Sequence, residues 1–198
     1  MFSNELEKML ILHIADLDEG VRRMKLLQLR LAGVIDEIFE GWAAENGWLS
    51  EHSWHEDGAC TLLPPEWQDG DGSSLGFFAL EYGAGDDEIG IEHDHFWITR
   101  LCAEGRGSVG LRFFQNKFGK TTWKKLLVNE TSMFAGTRFI IDDEPSIYLP
   151  IQIDKEVLAN AAEEESFETA LTPVFSNAFN HMLGLRNRFD ELLSDISQ

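Results

Sequence analysis

The chain is predicted to be α+β: a long N-terminal helix, a central antiparallel β-sheet or meander, and C-terminal helices packing on the N-terminal helix. Three observations predict this. Apolar residues recur at 3–4 spacing over residues 4–46 and again after residue 173. Runs of β-branched and aromatic residues, broken by Gly- or acid-rich turns, fill residues 76–153. No helix-length segment separates those runs, which leaves antiparallel pairing. The 198 residues fit one α+β domain with a real core, and 43% apolar with 26% charged residues is globular composition.

The first helix is expected over residues 4–46. Asn4 and Glu7 have capping-box spacing. Set as heptads, Ile14, Val21, Gln28, Ile35 and Trp42 fall at a, and Leu10, Leu17, Met24, Leu31 and Ile38 at d. Ile11, Leu27, Ala32, Val34 and Phe39 widen the stripe beyond a two-stranded seam. Gly20, Gly33 and Gly41 each weaken an isolated rod by about 1 kcal/mol relative to Ala. A helix packed on its own domain or in a bundle is therefore favoured over a free zipper, with a homo-oligomer through this helix as the other outcome.

Residues 47–75, rich in Gly, Pro, Asp and Ser, are expected to be mostly loop. Strands follow in "GFFALEY", "IGIEHDHFWITRLC", "SVGLRFFQNKF" and "TRFIID…SIYLPIQI", and the best hairpin joins 89–102 to 108–118 through "AEGRG". The region 154–198 returns to helix. Asp154 caps "KEVLANAA", and a last helix entered near Pro173 carries Phe175, Phe179, Met182, Phe189 and Leu193.

Charge constrains function. The formal net charge of −19 argues against a generic nucleic-acid or anionic-membrane binder and favours a basic protein partner. The charge is uneven: residues 98–128 hold seven bases and one acid, net +6, leaving about −25 elsewhere. No apolar run reaches the roughly 18–20 residues of a membrane span. The early acids and missing basic n-region speak against a secretory signal, so cytoplasmic residence without a membrane partner is expected. Cys60 and Cys102 form neither a zinc-type pair nor a disulfide framework.

Few residues look chemical. His93 and His95 share a face if 89–102 is a strand, and "EHSWHED" adds His52 and His55 with Glu51, Glu56 and Asp57. If the fold joined these groups, His52, His55, His93 and His95 could hold the metal of a hydrolase. No H-E-x-x-H accompanies them, and an ordinary strand with polar residues is the favoured reading. "GSSLG" matches a nucleophile elbow around Ser74 but lacks the preceding buried strand. "FGKTT" lacks the glycine cradle of a phosphate loop, and no lysine is preceded at two residues by Asp or Glu as a D/E-x-K nuclease needs.

The basic segment interleaves Arg112, Lys117, Lys120, Lys124 and Lys125 with Phe113, Phe114, Phe118 and Trp123, the pattern of a single-strand nucleic-acid grip. The competing reading makes the rings core and pairs the bases with acids elsewhere. The acid clusters at 85–88, 142–145 and 162–166 are solvated turns or a face for a basic protein. With no complete catalytic set and no cofactor expected, the leading function is a non-enzymatic acidic binding protein, an inhibitor, immunity or regulatory subunit. A nucleic-acid component and a metal-dependent hydrolase follow.

Overall fold

The computed structural model describes residues 4–56, 58–68, 70, 72–83, 95–105, 107–141 and 146–194. Helix α1 (Asn4–Leu12) and helix α2 (Ile14–Asn46) are separated only at His13, whose backbone turns to φ −112° and ψ 21°. The hydrogen bonds from His13 N to Met9 O and from Leu17 N to His13 O continue across the junction. The predicted helix is thus present, with one kink.

Helix α2 ends where "NGW" dictates. Gly47 takes the left-handed conformation at φ 69°, and Trp48 N–H reaches back to Ala43 O at 2.9 Å, a Schellman closure that glycine makes without strain. The reversal drops the Trp48 ring beside Trp42, centroids 5.2 Å apart.

Six strands form one antiparallel sheet: β1 (Leu49–Ser53), β2 (Ala59–Leu63), β3 (Gly76–Tyr82), β4 (Val109–Gln115), β5 (Ile140–Ile141) and β6 (Ile147–Ile151), in the order β1-β2-β3-β4-β6-β5. Two expectations are corrected here. Residues 47–75 are not mostly loop, because β1 and β2 make a hairpin with Leu49 opposite Leu63 and Ser53 opposite Ala59. On β2, fully buried Cys60 and Leu62 alternate with half-buried neighbours, a period-2 signal that the flanking Gly and Pro obscured. The hairpin from 89–102 to 108–118 is also absent. Strand β4 pairs instead with β3, Phe78 opposite Phe113, and Trp97–Leu101 form a short helix, α3. Consecutive Arg100 and Leu101 are both buried there, which a strand with one solvated face does not allow. The β-branched Ile98 and Thr99 misled, since strand propensity yields to packing. The remainder of that run, 89–94, lies outside the described residues.

Gly110 shows how tightly the sheet's second face is closed. A Cβ there would stand 2.2 Å from Leu149 O and 2.8 Å from the Tyr148 ring. Only glycine lets that tyrosine lie against the strand.

Helices α4 (Lys120–Asn129), α5 (Lys155–Glu163), α6 (Phe167–Gly184) and α7 (Arg186–Ser194) complete the fold. The Asp154 carboxylate accepts from Glu156 N at 2.7 Å, the predicted cap. Helix α6 begins at Phe167 rather than near Pro173, and exposed Pro173 sits inside it. The hydrogen bond lost at the proline costs little against the burial of Phe167, Ala170 and Leu171 before it.

The core lies between one sheet face and the helices. Leu31, Ile35, Ile38, Phe39 and Trp42 of α2 meet Phe175, Phe179 and Met182 of α6, with the Phe39 and Phe179 rings 4.8 Å apart. Phe189 of α7 touches the rings of Phe78, Phe113, Phe134 and Phe139 at 4.9–5.3 Å. The C-terminal helices therefore pack on the N-terminal helix as predicted, but only on its second half. Leu10, Ile14 and Leu17, which continue the same stripe, are exposed. Among the described residues, no helix is long and apolar enough to cross a membrane.

Candidate functional site

Asp36 is an acid on the buried side of α2, 6% exposed. Its neighbours at i−4, i+3 and i+7 are Ala32, Phe39 and Ala43, all buried, so helical geometry carries the carboxylate inward with them. It accepts from Trp54 N at 2.7 Å, His55 N at 3.2 Å, His55 Nδ1, and the Cys60 thiol at 3.2 Å. One carboxylate thus staples the β1–β2 hairpin to α2.

These bonds fix the charge states. Burial raises the Asp36 pKa, but the imidazole, the two backbone N–H groups and the thiol outweigh it and hold the carboxyl below its ordinary range. The same bond raises the His55 pKa, helped by Glu56, whose carboxylate stands 3.4 Å from Nε2. Cys60 is pushed far up, by burial first and then by the adjacent carboxylate.

Asp, His and Cys in contact resemble the parts of a nucleophilic triad, but the geometry does not assemble one. A cysteine nucleophile needs its base between the thiol and the acid, and a thiolate within reach of substrate. Here the acid binds both partners itself and Cys60 is 0% exposed. The cluster is a staple whose outer edge is the exposed His55 ring.

That edge borders a cleft of about 330 Å³ where the N-terminal arm leaves the body. Lys25, Gln28, Leu29 and Ala32 of α2 form one wall, and Trp54, His55 and Trp97 the other. The Trp54 and Trp97 rings meet edge to face at 6.1 Å, and Tyr82 leans on Trp54 at 5.7 Å with the Arg100 guanidinium 4.8 Å above the Tyr82 ring. The buried Gln28 Oε1 beside the cleft has no hydrogen-bond partner. Two basic side chains above aromatic walls suit an apolar segment carrying acids.

Beyond the cleft the body is acidic. Residues 31–99 contain sixteen Asp and Glu and no Lys or Arg. Glu37, Glu40 and Glu45 of α2 and Glu51 and Glu56 of the hairpin are exposed. Neither this belt nor Asp36 was singled out from the sequence. The signal for Asp36 was its place among buried positions at i−4, i+3 and i+7.

The predicted site residues are distributed as follows. His52 is exposed on β1, His55 is bound to Asp36, and His95 is exposed with its ring 4.6 Å from Phe96. His93, like Asp57, lies outside the described residues. Among the described residues, no three His, Cys, Asp or Glu side chains are grouped to hold a metal ion. Ser74 lies in the turn before β3, receiving a hydrogen bond from Asn116 Nδ2 at 3.2 Å, and no elbow is formed.

The basic segment divides. Arg112 stands over the Tyr148 ring at 4.9 Å and donates to Tyr82 O at 3.1 Å and to Ser146 Oγ. Lys117 donates to Leu193 O at the end of α7. Trp123 is 7% exposed, its ring stacked on Phe118 and tilted against Phe113. Lys120, Lys124 and Lys125 are exposed on α4. Half of the predicted nucleic-acid set thus has structural work, and three lysines remain on one helix. Of the acid clusters, 85–88 and 142–145 lie outside the described residues, while Glu163, Glu164 and Glu165 are exposed between α5 and α6.

No family model, curated protein or solved structure matches this chain.

Proposed function

We propose that this protein is a non-enzymatic binding protein whose acidic body docks a basic protein partner, as an inhibitor, immunity or regulatory subunit. The observation that carries the reading is the belt of residues 31–99, sixteen acids without one Lys or Arg, with its glutamates projecting from α2 and the β1–β2 hairpin. Such a one-sign surface costs self-repulsion, and it is useful where it accelerates and selects a partner of opposite charge. The Asp36 staple holds the hairpin on α2, so the exposed glutamates of these two elements share one frame. A cytoplasmic setting, where nucleic-acid-handling enzymes supply basic surfaces, is consistent with this role.

The test is recovery of the tagged chain from its own cells alongside a Glu37→Lys/Glu40→Lys variant. A basic protein should accompany the wild type in near-stoichiometric amount, dissociate as salt is raised, and be lost from the variant. Recovery of equal amounts with both proteins sinks the reading.

A second reading rests on Lys120, Lys124 and Lys125, exposed on α4 in a stretch without acids from residue 105 to 129. It requires single-stranded oligonucleotide binding whose log–log salt slope grows by roughly 0.7 per phosphate neutralised. The acidic body predicts no binding tighter than about 10 µM at 0.15 M salt, where the Debye length is roughly 8 Å. Sub-micromolar, salt-sensitive binding that Lys124→Glu/Lys125→Glu abolishes would replace the first reading by the second.

A further inference from the structure

Residues 4–30 form an arm that meets the body only at its base, where Leu27 packs against the core and the Arg30 guanidinium lies 5.1 Å from the centre of the Phe167 ring. No residue of α1 is buried, and the first buried residue of α2 is Leu31. At about 1.5 Å per residue the arm is roughly 40 Å long. Nine exposed large apolar side chains fall between Leu6 and Leu29, with Ile11 and Leu12 70% exposed and Ile14 66%. Together they present on the order of 800 Å² of apolar surface, one partner's share of a standard interface.

The charge pattern of the arm identifies its occupant. Residues 4–20 carry Glu5, Glu7, Asp16, Asp18 and Glu19 against Lys8, net −4. Residues 21–30 carry Arg22, Arg23, Lys25 and Arg30 with no acid, net +4. In a chain of −19, the arm alone is neutral and split into halves of opposite sign. Two such rods side by side in parallel set like charge on like, whereas antiparallel they set each half on its complement.

We propose that the arm pairs with the arm of a second copy, antiparallel, and that α1 of each copy seats in the junction cleft of the other. Keeping a opposite d places Leu17 of one copy against Val21 of the other, Ile14 against Met24, and Leu10 against Gln28. In this register α1 lies beside residues 26–34 of the other copy, where the cleft opens. There the acids Glu5 and Glu7 lie beside Arg30, and the apolar residues of α1 reach the tryptophan wall of the cleft. This accounts for a feature that a simple two-stranded seam leaves over: the last turn of α1, Met9–Leu12, is apolar all round, because it has both an arm and a body as neighbours. The variants that test this pairing lie in residues 14–23 and leave Glu37 and Glu40 untouched, so its failure and that of the basic-partner reading are told apart.

The experiment is light-scattering mass determination on the full chain at about 1–50 µM, with three variants. Wild type should give twice 22.5 kDa. Ile14→Asp should weaken association at least about 100-fold, and Arg22→Glu/Arg23→Glu about 10-fold or more, the latter restored by adding Asp16→Lys/Asp18→Lys on the same chain. On mild oxidation, Leu17→Cys/Val21→Cys should form a disulfide-linked dimer while Leu17→Cys alone does not. A wild-type monomer at 50 µM, no rescue by the charge exchange, or efficient cross-linking by Leu17→Cys alone overturns the proposal. The charge variants touch no core residue, so they remain informative if Ile14→Asp fails to accumulate.

Discussion

Replacing Asp36 with alanine removes one acceptor from four donors at once. The Trp54 N–H loses a 2.7 Å bond in a buried setting, the His55 N–H a 3.2 Å bond at a partly buried one, and the Cys60 thiol its 3.2 Å bond. A buried donor left without an acceptor costs about 1–3 kcal/mol, with bonds to a charged acceptor at the upper end and the thiol adding little. The expected loss is about 3 kcal/mol, a large share of the roughly 5–15 kcal/mol that holds a domain folded. For a chain of this size that lowers Tm by roughly 6–12 °C.

The loss should depend on pH. His55 has a raised folded pKa, so its contribution is complete below its unfolded value near 6.5 and is lost as pH rises through the folded value. Asp36 has a depressed one, so its contribution is present above about 3.8 and is lost as pH falls through the folded value. The deficit of Asp36→Ala should therefore be greatest between about pH 4 and 6.5 and shrink above that range without vanishing, since the Trp54 bond does not titrate. Thermal melts followed by circular dichroism from about pH 4 to 9 measure this. A Tm within 2 °C of wild type, or a deficit independent of pH, refutes the staple.

Phe189→Asp should unfold the protein or cost several kcal/mol, because it places an unpaired charge among the rings of Phe78, Phe113, Phe134 and Phe139, whereas Leu17→Asp, at a 44% exposed position, should leave the melt of dilute protein within about 2 °C. Equal damage from both in dilute solution would show the arm to be packed on its own body. Gly110→Ala should cost about 2 kcal/mol or more in urea denaturation, since its methyl must displace the Leu149 carbonyl and the Tyr148 ring. An unaffected midpoint would mean that the two strands separate there readily.

What the sequence determined by itself was set by local pattern. The 3.6-residue period and the Gly47 stop define α2, Asp154 defines the start of α5, and the alternation around Phe78, Phe113 and Leu149 defines three strands; the −19 charge needs no structure at all. Local rules govern these because each depends on residues within one or two turns. The tertiary structure decided the rest. Trp97–Leu101 is helix because Arg100 and Leu101 are both taken into the interior, a demand made by neighbours distant in sequence. One unbroken heptad stripe becomes core from Leu31 onward and a largely exposed arm before it, because α6 and the sheet reach little further along the helix. Asp36, His55 and Cys60 meet only when the hairpin folds onto α2. Trp123 stacks on core rings and Arg112 on Tyr148, so residues that read as a phosphate grip became supports of the sheet. Periodicity states which side of an element is apolar; which partner covers that side, and how far along, is fixed only by the contacts that close the fold.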